Sequence, residues 1–75
     1  MISENDVSII LNQHYNVLDE YCNFLAQKYT ETLEGSYRIK YNDLASFLHS
    51  PVSNKKKAEL FNKTNIRYID GKLYF

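Results

Sequence analysis

The side chains with the most evident capacity for binding are the basic residues concentrated in the last third of the chain. The basic residues there are Lys55, Lys56, Lys57, Lys63, Arg67 and Lys72. Such side chains neutralise phosphates and release the counterions condensed on nucleic acid, which gives an affinity that falls as salt rises. A lysine run near a helix start is also an ordinary solvated surface, so the charge needs a wider context.

That context is a charge asymmetry hidden by a formal net charge of zero. Residues 1–35 carry one lysine against six acids, a balance of −5. Residues 36–75 carry eight bases against three acids, a balance of +5. Asymmetry of this kind indicates a nucleic acid or another anionic surface as the partner.

The remaining reactive side chains give no catalytic pattern. Neither His14 nor His49 has an identifiable partner for acid–base catalysis, Cys22 fits buried packing, and no HExxH, GxSxG, P-loop or GxGxxG motif is present. No Cys/His cluster has zinc-ligand spacing. We therefore expect neither an enzyme nor a metal, cofactor or small-molecule substrate.

The same composition predicts the class and compartment of the protein. A folded single domain over residues 1–75 is expected, because 44% of the residues are hydrophobic. A core this small is marginal, so we expect a partner subunit to supply further stability. One free cysteine, no signal-like start and no apolar run of about 18 residues predict an intracellular, non-membrane protein, in the cytoplasm, nucleoid or host cell.

One long helix is predicted over residues 3–34. Ser3 and Asp6 have capping-box spacing, apolar residues recur at helical intervals, and Gly35 is a typical stop signal. Two apolar seams run along it, and one contains Ile10, Val17 and Phe24. The other is the predicted dimer seam: Leu11, His14, Leu18, Tyr21 and Leu25. A helix packed between a core and a loop is the alternative to a helix that serves both the core and a homodimer.

Shorter elements are predicted between this helix and the end of the chain. Residues 36–40 alternate like a strand, and residues 41–49 form a second helix. Ser53 caps a third helix over residues 54–63, the alternative start being Ser50 as cap with Pro51 in the first turn. On a helical wheel, the apolar residues of this third helix share one side and its lysines mostly the other.

A β-hairpin is predicted over residues 65–75, where two alternating runs flank Asp70-Gly71. This dipeptide favours a two-residue type I′ turn. The resulting register pairs Ile69 with Lys72, Tyr68 with Leu73 and Ile66 with Phe75. One face is then apolar, and the other is basic and aromatic, with Arg67, Ile69, Lys72 and Tyr74.

The order of long helix, short strand, two short helices and hairpin resembles the winged helix-turn-helix superfamily. The resemblance covers residues 37–75 together with the first helix, and Tyr37 to Leu48 look like the superfamily's short strand and second helix, with Leu44 to Leu48 matching its "Leu-Ala-x-x-Leu" pattern. It implies an α+β, mainly helical fold, double-stranded DNA as partner and a dimeric transcriptional or replication regulator, as in a virus or plasmid. The implied DNA-binding residues are Lys55, Lys56, Lys57, Lys63, Arg67, Lys72 and Tyr74. Winged helices also serve as protein–protein interaction modules, so an adaptor or inhibitor is the alternative.

Overall fold

Four helices and a C-terminal hairpin make up the computed structural model, which describes all 75 residues. In chain order the elements are α1 (Glu4–Gln13), α2 (Tyr15–Thr32), α3 (Gly35–His49), α4 (Asn54–Lys63), β1 (Arg67–Ile69) and β2 (Lys72–Tyr74). The two strands form one antiparallel sheet. The predicted class, α+β and mainly helical, is confirmed.

The predicted continuous first helix is wrong, because the chain bends at His14. His14 has φ −123° and ψ 11°, outside the helical range, while its N–H still donates to the Ile10 carbonyl at 2.8 Å. The bend lets α1 pack on α4 while α2 packs along α3. The imidazole ring of His14 meets the ring of Tyr68 edge-on, with centroids 5.8 Å apart. Contacts with distant elements thus accompany a break that no proline or glycine marks.

The predicted strand at residues 36–40 is also wrong, because this segment is the start of α3. Tyr37, Tyr41, Leu44 and Leu48 recur at helical spacing and face inward, whereas Ile39 is 59% exposed. The apolar stripe at helical spacing therefore determines the conformation of residues 36–40, and the short alternating pattern does not. Gly35 is the first residue of α3 rather than the stop of the preceding helix.

The stop of α2 is a leucine in a left-handed conformation. Leu33 has φ 59°, and its N–H donates to the Tyr29 carbonyl at 2.7 Å. Glycine is the usual residue at such a position because it lacks the Cβ that makes this conformation costly. The α2–α3 connection therefore consists of Leu33 and Glu34 alone, which holds the two helices side by side.

The core lies where the four helices and the start of the hairpin converge. Its apolar members are Ile2, Val7, Ile10, Leu18, Cys22, Leu25, Leu44, Phe47, Leu48, Ala58, Phe61 and Ile66. Every helix contributes at least two of them, so detachment of any helix from the core would expose apolar surface to water. Two side-chain hydrogen bonds add to the packing between the N-terminal segment and α4: Asn62 Oδ1 accepts from the Ile2 N–H at 3.2 Å, and Asn54 Nδ2 donates to Ser8 Oγ at 3.0 Å.

Both predicted local caps are confirmed. Ser3 and Asp6 form a reciprocal capping box at the start of α1, with hydrogen bonds of 3.2 and 2.9 Å. Ser53 Oγ accepts from the Lys56 N–H at 3.2 Å, so α4 begins at Asn54. The alternative start at Ser50 and Pro51 is wrong, since both residues lie in the connection before α4.

The hairpin has the predicted register. Arg67 pairs with Tyr74, Tyr68 with Leu73 and Ile69 with Lys72. Asp70 and Gly71 have φ values of 52° and 77°, the two positive values that a type I′ turn requires. The predicted outermost pair of Ile66 and Phe75 lies beyond the ladder.

The Gly71→Val variant is expected to lose roughly 1–2 kcal/mol of unfolding free energy, because a β-branched residue disfavours left-handed φ. No atom lies within 4 Å of a Cβ placed there, so the cost comes from the backbone alone. Gly35→Val is the matched control: Gly35 has no positive φ and equally open surroundings. Urea denaturation of both variants measures the difference, and equal midpoints would contradict the turn assignment.

Candidate nucleic-acid interface

Helix α4 presents one apolar face to the core and one polar face to water. Ala58 and Phe61 are buried, with Phe61 only 1% exposed and its ring centroid 5.2 Å from that of Phe47. Lys55, Lys56 and Lys63 are exposed on the other side, as the helical wheel predicts. The buried face thus fixes the direction in which the lysines point.

The lysines of α4 differ in their surroundings. Lys56 Nζ lies 3.6 Å from Glu59 Oε2, one turn further along the helix, and Lys57 is half-buried. Lys55 and Lys63 have no carboxylate within ion-pair distance. These two are therefore the α4 cations whose charge is available to an outside anion.

The outer face of the hairpin carries the remaining predicted residues. Arg67, Ile69, Lys72 and Tyr74 are all exposed, and Lys72 has no carboxylate partner. The inner face turns to the helices, where Tyr68 meets His14 and Phe75 lies against Tyr21 at 4.7 Å between centroids. The apolar and basic-aromatic faces are thus separated as predicted, apart from the exposed Phe75.

Arg67 has a second set of contacts that the sequence did not indicate. Its Nη1 atom donates to the carbonyl oxygens of Thr64 and Ile66, both at 3.1 Å. Thr64 is itself buried, and its Oγ1 donates to the Phe61 carbonyl at 2.6 Å and accepts from the Ile66 N–H at 3.3 Å. These bonds fix the short connection between α4 and β1, so the two basic surfaces are held in a defined relation.

The predicted dimer seam is largely used inside the chain. Leu18 and Leu25 are 0% and 2% exposed and belong to the core, which corrects their assignment to a dimer surface. Leu11, His14 and Tyr21 are half-buried and pack against the same core or the hairpin. The other predicted seam, Ile10, Val17 and Phe24, is only partly used in the core. Ile10 is buried, whereas Val17 and Phe24 are 48% and 47% exposed.

His49 has partners that the sequence did not reveal. Tyr15 Oη lies 3.0 Å from His49 Nδ1, and His49 Nε2 lies 3.5 Å from Asp19 Oδ1. The three side chains join the end of α3 to the start of α2. The contacts connect α2 to α3 on the surface, and none of the three residues lines either concave site.

Neither His14 nor Cys22 is placed for chemistry with an outside ligand. His14 Nε2 is buried without a hydrogen-bond partner. Burial, and to a smaller extent the charge of Asp19, raises the pKa of the Cys22 thiol, so less of the reactive thiolate forms at neutral pH. No three His, Cys, Asp or Glu side chains come together as a metal-binding group.

The surface has two concavities, and neither coincides with the basic faces. A small one lies beneath Phe75, between Tyr21 and Leu44. A broader groove of about 320 Å³ runs between α2 and α3. Tyr29, Arg38 and Tyr41 are among its lining residues. The exposed sides of α4 and of the hairpin therefore contain neither concavity.

None of the four helices combines the length and the hydropathy that crossing a membrane requires. A comparison of the chain with protein-family models, with curated proteins and with solved structures finds no match to any of them.

Proposed function

We propose that the protein binds double-stranded DNA through the outer faces of α4 and the hairpin, as a non-enzymatic regulator of transcription or replication. The observation that carries the proposal is the set of exposed, unpaired cations Lys55, Lys63 and Lys72 on these two faces. A surface cation without a carboxylate partner keeps its full charge for an outside anion.

The shape of the two faces suits a duplex. The major groove admits an α-helix, so α4 can enter it with its lysines near phosphates and base edges. The hairpin then lies beside the groove, where Lys72 reaches the backbone and Tyr74 offers an aromatic surface. Arg67 combines this role with its bonds to the Thr64 and Ile66 carbonyls, which orient the hairpin relative to α4.

The winged helix-turn-helix resemblance supports the proposal in element order. Helices α2, α3 and α4 followed by the hairpin correspond to three helices and a wing, with α3–α4 as the helix-turn-helix pair. Two features depart from that pattern: α1 is an additional helix, and residues 36–40 supply no third strand to the hairpin. We therefore rest the proposal on the charge and exposure of the two faces rather than on the resemblance alone.

Lysine removal from α4 is expected to weaken DNA binding and to lower its salt dependence. In the Lys55→Ala/Lys63→Ala variant, the slope of log K against log salt should fall by about 2, because each phosphate contact contributes about 0.9. Fluorescence anisotropy of a labelled generic duplex over a salt series measures this slope. The mutated side chains are exposed, so the far-UV circular dichroism should stay that of the wild type.

Arg38→Ala/Lys40→Ala is the matched control, since it removes the same charge from α3. Its salt slope should stay close to that of the wild type, because those residues lie on neither proposed face. Equal slopes for the two variants would mean that the net charge alone governs binding. A wild-type chain that binds no duplex at low salt would contradict the proposal and favour the protein–protein interaction alternative.

A further inference from the structure

An apolar patch on α2 lies away from the core. It consists of Val17, Tyr21 and Phe24, which share one side of the helix, and of Phe75, which follows β2. The rings form a continuous surface, because Tyr21 stacks on Phe24 at 5.9 Å and lies 4.7 Å from Phe75. Val17, Phe24 and Phe75 remain 48%, 47% and 58% exposed. A contiguous exposed patch of this kind marks a site of association.

The charges at the two ends of the patch are opposite. Glu20 is exposed one turn before Phe24 and has no cation within ion-pair distance. Lys28 lies one turn after Phe24, with its Nζ atom 5.8 Å from the centre of the Phe24 ring. Lys28 also has a loose contact with Glu31, at 3.8 Å. When two copies of this segment lie side by side in opposite directions, the acid of each copy therefore lies opposite the base of the other.

We propose that this patch is the contact between two copies of the chain, with their α2 helices antiparallel and Phe24 near the two-fold axis. In that arrangement Glu20 of each copy faces Lys28 of the other, because positions equally far before and after the axis meet. The same charge pair thus occurs twice. The Phe24 rings of the two copies meet at the axis and lose contact with water, which supplies the driving force.

The size of the patch predicts a weak, reversible dimer. Few side chains are involved, and contacts that bury less than about 1,200 Å² in total are typical of transient complexes. The inference does not depend on DNA binding, since neither α4 nor the outer face of the hairpin takes part. It moves the expected homodimer contact from the Leu11, Leu18 and Leu25 seam to the neighbouring one.

Charge reversal tests the register of the contact. Glu20→Lys places like charges opposite each other at both symmetric positions, as does Lys28→Glu, and each is expected to weaken association by at least about tenfold. The double variant Glu20→Lys/Lys28→Glu restores opposite charges and should regain association. Sedimentation equilibrium from micromolar to millimolar concentration measures all four proteins. Failure of the double variant to recover would overturn the proposed register.

Phe24→Glu tests the patch itself, and it should abolish the dimer while the fold is retained, because Phe24 is outside the core. Ile39→Glu is the matched control: Ile39 is 59% exposed on α3, and its replacement should leave the association unchanged. Circular dichroism verifies that both variants are folded. A wild-type chain that stays monomeric at millimolar concentration, or a dimer that survives Phe24→Glu, would overturn the proposal.

Discussion

Leu18→Glu is expected to unfold the protein. Leu18 is fully buried in α2 and lies in the core with residues from the other helices. Loss of a buried leucine side chain alone costs about 2–5 kcal/mol. Burial of an unpaired carboxylate adds several more. A domain of this length has a total unfolding free energy of about 4–11 kcal/mol, so the native state should not survive the substitution.

Asn16→Glu is the control for Leu18→Glu, because it introduces the same side chain into the same helix. Asn16 is exposed in the first turn of α2, where the helix dipole favours a carboxylate. Far-UV circular dichroism and a thermal scan should show a cooperative transition for Asn16→Glu and none for Leu18→Glu. A folded, monomeric Leu18→Glu protein would instead place Leu18 on the surface and return it to the dimer seam.

The heptad spacing of Leu11, Leu18 and Leu25 explains why the sequence misassigned the seam. A seven-residue repeat places residues on one stripe of a helix whether that stripe meets the chain's own core or a second copy. The sequence therefore revealed that two stripes exist, but not which of them the rest of the chain covers. The packing of the other elements decides this: Leu18 and Leu25 lie in the core where the helices converge, whereas Phe24 is about half exposed.

Features with a local cause could be predicted from the sequence. The Ser53 cap depends on one hydrogen bond between residues three apart, and the turn at Asp70-Gly71 depends on backbone conformations that few residues adopt. Because each cause acts within four residues, distant contacts had little influence on the outcome. The hairpin register followed directly from the turn.

Features with a distant cause could not be predicted. The bend at His14 accompanies packing against Tyr68, 54 residues further along the chain, and no local breaker marks it. Residues 36–40 fit a strand and a helix equally well when the window is short. The helix became distinguishable only with the longer spacing from Tyr37 to Leu48, which matches a stripe packed against the core.

The same distinction between local and distant causes applies to the candidate interface. The exposed side of α4 could be predicted, because Ala58 and Phe61 define the buried side. The bonds from Arg67 to the carbonyls of Thr64 and Ile66 could not, because a guanidinium group on a strand can point in several directions. Pairing of Lys56 with Glu59 is an i, i+3 contact that the spacing alone allows but does not require.

Phe47→Ala is expected to destabilise the protein strongly without introducing a charge. Phe47 is fully buried, and its ring lies 5.2 Å from that of Phe61. This pair joins α3 to α4, the helix that carries the proposed DNA-binding lysines. Truncation of a buried phenylalanine costs about 3–5 kcal/mol, through lost burial and the cavity that remains.

Such a loss should lower the Tm by roughly 12–40 °C for a domain of this size. Ile39→Ala is the control on the same helix, and its expected change is within about 0.5 kcal/mol because Ile39 is mostly exposed. Thermal denaturation followed by circular dichroism compares the two variants at one low protein concentration, so that association does not contribute. If Phe47→Ala and Ile39→Ala had the same Tm, the pair of Phe47 and Phe61 would not be what holds α4 against α3. The orientation of the α4 lysines would then need another cause.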